Sequence, residues 1–299
     1  MNSTVILVFT HARPSHTKNL LDSLRQCDGF CNYKVIIYSD GAKTAAQMPS
    51  VEQNRSFLNI FASQNSNVEI VYQENNRGLA VSVITGVTAT LKEHEAVIVL
   101  EDDLVLSNEF LSYMQCSLNE YRMNFKVWSV TGYSFPFITH GEAAYDNYAL
   151  PRAMSWGWAT WRDRWDNVDW DLTDYDELMC SKVRRESFSR GGQDLIRMMR
   201  LYKAGRISSW AIRWCYEHFK RNAFCMYSSR PLVKNEGFDG SGVHCRATTR
   251  FDVEFEKKGR YDKGWCLMTD ISVRDSDLVL LQKNHRLGFV RRVLSVFGI

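Results

Sequence analysis

Three acidic residues stand in a row in the first half of the chain, directly after an apolar run. Glu101, Asp102 and Asp103 follow residues 96–100, which read AVIVL. Like charges ~4 Å apart repel by roughly 4 kcal/mol at an effective dielectric of 20, so a divalent cation would stabilise this triplet. Carboxylate oxygens suit manganese or magnesium. The triplet therefore predicts a Mn²⁺ or Mg²⁺ site that could stabilise a departing diphosphate. The alternative is a solvated acidic turn.

The segments before the triplet bring other polar residues to it. Apolar runs at 4–9, 33–38, 68–72 and 96–100 alternate with helical patterns, which indicates an α/β fold with a doubly wound, mostly parallel sheet flanked by helices. The carboxyl ends of such strands meet at one edge, where ligands bind. We expect one crevice lined by the polar residues that follow the four runs: Thr10, Arg13, Asp40, Arg77 and the triplet.

The composition is that of an ordinary globular protein and excludes several classes. The 299 residues are 45% hydrophobic and 24% charged, which fits one large α/β domain. A net charge of +3 is too small to argue for nucleic acid as a partner. No run approaches the ~18 apolar residues of a membrane-spanning helix. The eight cysteines form no CxxC pair, so we expect free thiols in a cytoplasmic protein.

The half after residue 125 is less regular and rich in tryptophan. Residues 127–131 predict a strand, residues 171–206 predict charged helices, and a mixed segment at 210–244 closes the core. Five of the nine tryptophans lie between residues 156 and 170: Trp156, Trp158, Trp161, Trp165 and Trp170. Trp156 and Trp158, in a loop-like SWGW motif, are predicted to present rings to a sugar, and the others to lie in the core.

Four motifs in series resemble one enzyme class. Residues 100–111 (LEDDLVLSNEFL) look like the acidic motif of A-fold (GT-A) glycosyltransferases, in particular the N-acetylglucosaminyltransferase-I type. They are also similar to family 2-like sugar transferases of bacterial surface-polysaccharide gene clusters. The likeness continues through SWGWATW (155–161), SWAIRW (209–214) and KNEGFDGSGVH (234–244). It implies a Rossmann-like GT-A domain with a donor-binding half at 1–125 and an acceptor-binding, catalytic half at 126–283.

The resemblance also implies roles for individual residues. Asp103 would ligate the metal directly, and His244 would close over the metal or the diphosphate, although a lone histidine is more often structural. The donor, expected to be a UDP-sugar, would meet six residues: Thr10, Arg13, Asp40, Arg77, Glu101 and Asp102. Asp40 would accept a hydrogen bond from the imide N–H of uracil. A turn-forming role for Asp40 and a surface position for Arg77 are the alternatives.

The general base is the part of the resemblance that this sequence departs from. In the N-acetylglucosaminyltransferase-I type an aspartate directly after a tryptophan takes the proton of the acceptor hydroxyl. The matching position here is Ala211, after Trp210. Asp194 is the predicted replacement, with Asp163 and Glu217 as further candidates. A capping role is the alternative for Asp194, because a helix N-terminus stabilises the anion and lowers its basicity.

The last residues, 284–299, form a basic amphipathic tail in which three arginines flank an apolar stripe. Such a tail could contact the inner face of the cell membrane, which would suit a lipid-linked acceptor, or it could pack on the domain as a final helix.

Taken together, the acidic triplet and the resemblance predict a metal-dependent glycosyltransferase that moves a sugar from a nucleotide sugar to a saccharide acceptor in O-antigen or capsule assembly. The alternative is a non-catalytic module that binds a glycan or nucleotide sugar.

Overall fold

An eight-stranded sheet forms the centre of the protein, with its strands in the order β3-β2-β1-β4-β8-β6-β9-β7. The computed structural model describes residues 4–138, 144–239, 249–255 and 264–286. The strands are β1 (Thr4–Thr10), β2 (Lys34–Ser39), β3 (Val68–Tyr72), β4 (Ala96–Glu101), β5 (Leu104–Leu106), β6 (Val127–Thr131), β7 (Asn147–Leu150), β8 (Trp158–Trp161), β9 (Phe224–Ser228) and β10 (Val233–Asn235). A second, two-stranded sheet pairs β5 with β10.

Helices cover both faces of the sheet. They are α1 (Pro14–Gln26), α2 (Met48–Gln64), α3 (Leu79–Leu91), α4 (Phe110–Glu120), α5 (Arg162–Trp165), α6 (Tyr175–Cys180), α7 (Lys182–Phe188), α8 (Asp194–Lys203), α9 (Trp210–Lys220) and α10 (Asp275–Asn284). Two buried clusters of apolar side chains result, one on each side of the sheet. The predicted α/β architecture, with helices on both faces of a central sheet, is confirmed.

The first half of the sheet is parallel, as predicted. β1 pairs with β2 and β4, and β2 pairs with β3, all in parallel register. β1 is buried along its whole length because strands flank it on both sides and helices cover both faces. The carboxyl ends of β1, β2, β3 and β4 consequently lie at one edge of the sheet, which we call the carboxyl edge.

The second half of the sheet mixes directions. β8 runs antiparallel to both β4 and β6, so its first residue lies at the carboxyl edge, where Trp158 pairs with Val99 and Thr131. Its last residue, Trp161, pairs with Ala96 at the opposite edge. β6 and β9 are parallel, and β7 closes the sheet antiparallel to β9.

Trp158 lies in the core, and the prediction that it contacts an acceptor sugar is wrong. Its side chain is 0% exposed. Its ring stacks on Trp210, with centroids 4.9 Å apart, and on Trp165, with centroids 5.8 Å apart. Trp158 is the first residue of β8, where β4 and β6 flank it, whereas Trp156 precedes the strand. Residue type alone does not show where the strand begins.

Trp156, by contrast, is half-buried and remains a candidate for contact with a ligand. Its ring meets Tyr133 edge-on, with centroids 4.7 Å apart, and Phe238 at 5.4 Å. Its carbonyl accepts a hydrogen bond of 2.8 Å from the Thr131 hydroxyl, which fixes the segment at the carboxyl edge.

Two predictions lie outside the described residues. His244 is one of them, and most of the basic tail, residues 287–299, is the other. Within the part of the chain that the structure describes, no helix is long and apolar enough to cross a membrane.

Replacing Trp158 with alanine is expected to lower the free energy of unfolding by about 3–5 kcal/mol, because it leaves a cavity among stacked rings. Trp156→Ala is the matched control and should cost clearly less, since its ring is half-buried. Urea unfolding of both variants measures the difference. Equal losses would contradict the assignment of Trp158 alone to the core.

Candidate functional site

The acidic triplet spans the turn between β4 and β5. Glu101 is the last residue of β4, and β5 begins at Leu104. β5 pairs with β10, which brings the loop after β10 against the turn. The backbone N–H of Glu236 donates to the carbonyl of Asp103 at 2.8 Å. A Cβ at Gly237 would overlap with Asp103 Oδ2, so only glycine allows this close approach.

Arg13 joins two of the three acidic residues. Its Nη2 atom contacts Asp102 Oδ1 and donates to Asp103 Oδ2 at 3.1 Å. Burial by itself would lower the pKa of Arg13, but attraction by both carboxylates outweighs burial and raises it. Asp102 also accepts a hydrogen bond from the backbone N–H of His11 at 3.2 Å. The end of β1 is thereby fixed to the end of β4.

One of the two carboxylate oxygens of Asp103 is not engaged by the described residues. Its Oδ1 atom is buried and has no hydrogen-bond partner among the described residues. A buried, unpartnered carboxylate oxygen is unfavourable unless a cation or a ligand satisfies it. The described residues contain no group of three or more His, Cys, Asp or Glu side chains that could hold a metal. Asp103 and the neighbouring Asp102 thus fit a divalent ion that would take its other ligands from a bound molecule.

Glu101 faces the start of α9. Its carboxylate accepts a hydrogen bond from the Trp210 side chain, in the first turn of that helix. Burial raises the pKa of Glu101 well above its ordinary value, and repulsion by Asp103 and Asp102 adds to this. The position that carries a base in the resembled enzymes, Ala211, is the next residue of the same turn and has no group to titrate.

Asp40 fixes loops together rather than offering a free acceptor. Its carboxylate accepts backbone N–H groups from Gly41 at 3.0 Å, Arg77 at 2.9 Å and Gly78 at 2.9 Å, and the amide of Asn76 at 3.0 Å. An ionised carboxylate has about four lone-pair sites, so these four bonds use all of them. The predicted hydrogen bond to an imide N–H has no acceptor left here, and the turn-forming alternative describes Asp40 better.

The other predicted donor residues lie at the same edge in different environments. Thr10 is buried, and its hydroxyl accepts from Asn54 at 3.3 Å. Arg77 is exposed at the entrance to α3.

Two further residues of this edge were not predicted from the sequence. The ring Nε2 of His11 lies 3.0 Å from the carbonyl oxygen of Gly41, and the side-chain amide of Asn76 donates to the same carbonyl at 2.9 Å. The one available signal was their position in the loops that follow β1 and β3.

Asp194, the predicted base, forms an ion pair. Its two oxygens accept from Arg152 Nη1 at 3.0 Å and Nη2 at 2.9 Å. Burial would raise the pKa of Asp194, but the Arg152 guanidinium outweighs it and holds that pKa below its ordinary value. A carboxylate with a lowered pKa is a weaker base. None of these contacts connects Asp194 with the acidic triplet.

The two other candidates for the base are engaged away from the carboxyl edge. Asp163 lies in α5, after the end of β8 at the opposite edge, and contacts Arg164 at 2.6 Å. Glu217 is fully buried two turns after Trp210 in α9 and pairs with Lys220 at 2.5 Å.

Comparison with known proteins adds the family. The profile of glycosyl transferase family 2 matches residues 5–167, more than half of the chain. The chain belongs to glycosyl transferase family 2. The family 2 match covers β1, the acidic triplet and β8 in one continuous alignment, and with the sheet topology it confirms the GT-A fold. No curated protein sequence matches this family 2 chain significantly.

Several solved structures are similar in fold. A mannosyltransferase from Pyrobaculum calidifontis, in complex with GDP-Man and Mn²⁺, is 13% identical with a TM-score of 0.44, over 73% of this chain and 69% of that one. S. aureus TarS 1–349 with UDP-GlcNAc is also 13% identical with a TM-score of 0.44, over 77% and 56%. GalNAc-T7 with UDP, GalNAc and Mn²⁺ is 10% identical with a TM-score of 0.48, over 77% and 43%.

Asp194→Asn is expected to lower the free energy of unfolding at pH 7 by about 2–4 kcal/mol, because it leaves the Arg152 charge without its partner. The lowered pKa of Asp194 means that its contribution is present above the ordinary aspartate pKa of ~3.9 and is lost as pH falls through the folded-state pKa. The difference between variant and wild type should therefore shrink in acid.

Urea unfolding at neutral and acidic pH checks this prediction. A variant that unfolds like wild type at both pH values but has lost turnover would instead support Asp194 as the base.

Proposed function

We propose that this family 2 protein is a metal-dependent glycosyltransferase that moves a sugar from a nucleotide sugar to a saccharide acceptor. The observation that carries the proposal is the carboxylate of Asp103, which stands at the carboxyl edge with one buried oxygen unpartnered and a neighbouring acid, Asp102, beside it. A divalent cation satisfies both acids there. When bound, Mn²⁺ or Mg²⁺ would supply positive charge to a departing nucleoside diphosphate.

Each residue of the site would have a separate role in binding the metal and the donor. Asp103 and Asp102 would hold the metal, and Arg13, next to both, would neutralise phosphate charge. Glu101, which accepts a hydrogen bond from Trp210 at the start of α9, would also accept hydrogen bonds from sugar hydroxyls. The loops after β2 and β3 are tied together by Asp40, and the ring of His11 joins the loop after β1 to Gly41; these three loops would form the wall against the nucleoside.

The acceptor would approach from the second half of the domain. Trp156 lies at the carboxyl edge and is half-buried, so it would be the residue of this segment that contacts the acceptor. An acceptor hydroxyl attacks the anomeric carbon, a new carbon–oxygen bond forms, and the bond from that carbon to the diphosphate breaks. The hydroxyl proton passes to a base, and its pairing with Arg152 makes Asp194 a weak one.

The predicted setting extends the same proposal. Assembly of O-antigen or capsule on a lipid-linked acceptor follows from the sequence resemblance, as do His244 near the diphosphate, a UDP-sugar as donor and contact of the tail with the inner face of the cell membrane. Hydrolysis of a UDP-sugar in preference to GDP- and dTDP-sugars tests the donor, and vesicle binding of the full chain tests the contact with the membrane.

A non-catalytic binding module is the second candidate. Ala211 at the expected base position favours it, together with the engagement of Asp194, Asp163 and Glu217 in ion pairs. A binder would take up the nucleotide sugar without releasing the nucleotide.

Nucleotide release from UDP-, GDP- and dTDP-sugars, with Mn²⁺ or with a chelator, distinguishes the two candidates. We expect slow, metal-dependent hydrolysis of one donor, and a loss of about 100-fold or more in Asp103→Asn. The apo form of that variant should be no less stable than wild type, since the substitution removes a charge from a repelling group.

Asp22→Asn, the same substitution at a partly exposed site on α1, is the matched control and should hydrolyse the donor like wild type. Thermal stabilisation by a nucleotide without any release would favour the binding module. Neither binding nor release with any of the three donors would contradict both candidates.

A further inference from the structure

A single nitrogen atom of Arg13 bridges the two carboxylates that the proposed function assigns to a metal ion. Nη2 contacts Asp102 Oδ1 and lies 3.1 Å from Asp103 Oδ2. A divalent cation held by these two acids would stand next to the guanidinium. The two cations would therefore repel each other, and each would weaken the binding of the other.

The surroundings of Asp103 leave little room for both cations. On one side of Asp103 Oδ2 stands Gly237, so close that even a Cβ there would overlap with it. The backbone of Glu236 bonds the Asp103 carbonyl, which holds this loop in place. Asp103 Oδ1, which has no partner among the described residues, would take the metal ion while Arg13 holds Oδ2 of the same carboxylate. Two cations would then lie side by side on one group and repel each other.

The position of Arg13 would allow its side chain to move away from the two carboxylates. It directly precedes α1, whose first residue is Pro14, so its side chain starts at a helix end and not within a packed helix face. Its side chain is 25% exposed, while those of Asp102 and Asp103 are 6% and 14% exposed. A guanidinium offers five donors in a planar fork that matches phosphate oxygens. A diphosphate at the carboxyl edge would give Arg13 a new anionic partner at a short distance.

We propose that Arg13 serves as the resident cation of the acidic site in the donor-free protein, and that metal and donor diphosphate displace it together. The inference rests on the proposed function, because it takes Asp102 and Asp103 as the metal site. Without a diphosphate, a metal ion must displace Arg13 and leave its charge without a partner. With a diphosphate, the guanidinium transfers from carboxylate to phosphate. Arg13 thus couples metal binding to donor binding.

Binding of Mn²⁺ alone, measured from the loss of the free-ion electron paramagnetic resonance signal, tests the proposal without turnover. Arg13→Met is expected to bind Mn²⁺ about tenfold or more tightly than wild type when no nucleotide is present, a difference of about 1.4 kcal/mol or more. Arg13→Lys keeps the charge and should remain near wild type. Arg25→Met, which removes an exposed arginine from the same helix, is the matched control and should also behave like wild type.

A second titration adds UDP, and then GDP, to the same proteins. Nucleotide should tighten Mn²⁺ binding strongly in wild type and much less in Arg13→Met, because the variant has no guanidinium to transfer. Arg13→Met that binds Mn²⁺ no better than wild type would overturn the inference, and so would an equal gain in Arg25→Met. If Arg13→Met is unstable, Arg13→Gln replaces it in the same comparison with the same expected gain.

Asp103→Asn separates this inference from the function on which it rests. If that variant binds Mn²⁺ with nucleotide as wild type does, the metal site itself is wrong, and the inference about Arg13 is overturned with it. If Asp103→Asn loses Mn²⁺ while Arg13→Met gains nothing, the metal site stands and the role given to Arg13 is wrong.

Discussion

Electrostatic repulsion among Glu101, Asp102 and Asp103 is the constraint around which the carboxyl edge is organised. β4 is an apolar strand buried in the middle of the sheet, and it delivers the three carboxylates to a place from which solvent is largely excluded. Each neighbouring element contributes a compensating group. Arg13 arrives from the end of β1, the Trp210 side chain from the start of α9, and a backbone N–H of the loop after β10 fixes the turn itself.

The second half of the sheet contains antiparallel strands, and their direction brings residues of that half to the carboxyl edge as well. Because β8 is antiparallel to β4, its first residue and the segment before it lie beside the acidic triplet. Trp158 then anchors that segment in the core, and Trp156, two residues earlier, remains at the surface. α9 begins under the same ring cluster, which places its first turn against Glu101. Packing of tryptophans thus positions the region where an acceptor would approach.

The sequence was sufficient to predict the strands of the parallel half and their shared edge, because continuous apolar runs and alternating helices are local patterns. The position of the acidic triplet at the end of a buried strand could be predicted from the sequence as well. The sequence was not sufficient for Trp158 or Asp194, because tertiary structure sets both the burial of Trp158 between β4 and β6 and the pairing of Asp194 with Arg152, 42 residues away. The sequence also did not reveal that hydrogen bonds occupy both carboxylate oxygens of Asp40. Most of the donors are backbone N–H groups, which no side-chain pattern reveals.

The central claim is that a divalent metal ion binds at Asp103 together with a donor diphosphate. Crystals grown with Mn²⁺ and UDP, GDP or dTDP, measured near the manganese absorption edge, test it most directly. The account predicts an anomalous peak in direct coordination with a carboxylate oxygen of Asp103 and with diphosphate oxygens. A manganese peak elsewhere on the protein, with a diphosphate bound at the carboxyl edge and none of its oxygens near a metal ion, would contradict it.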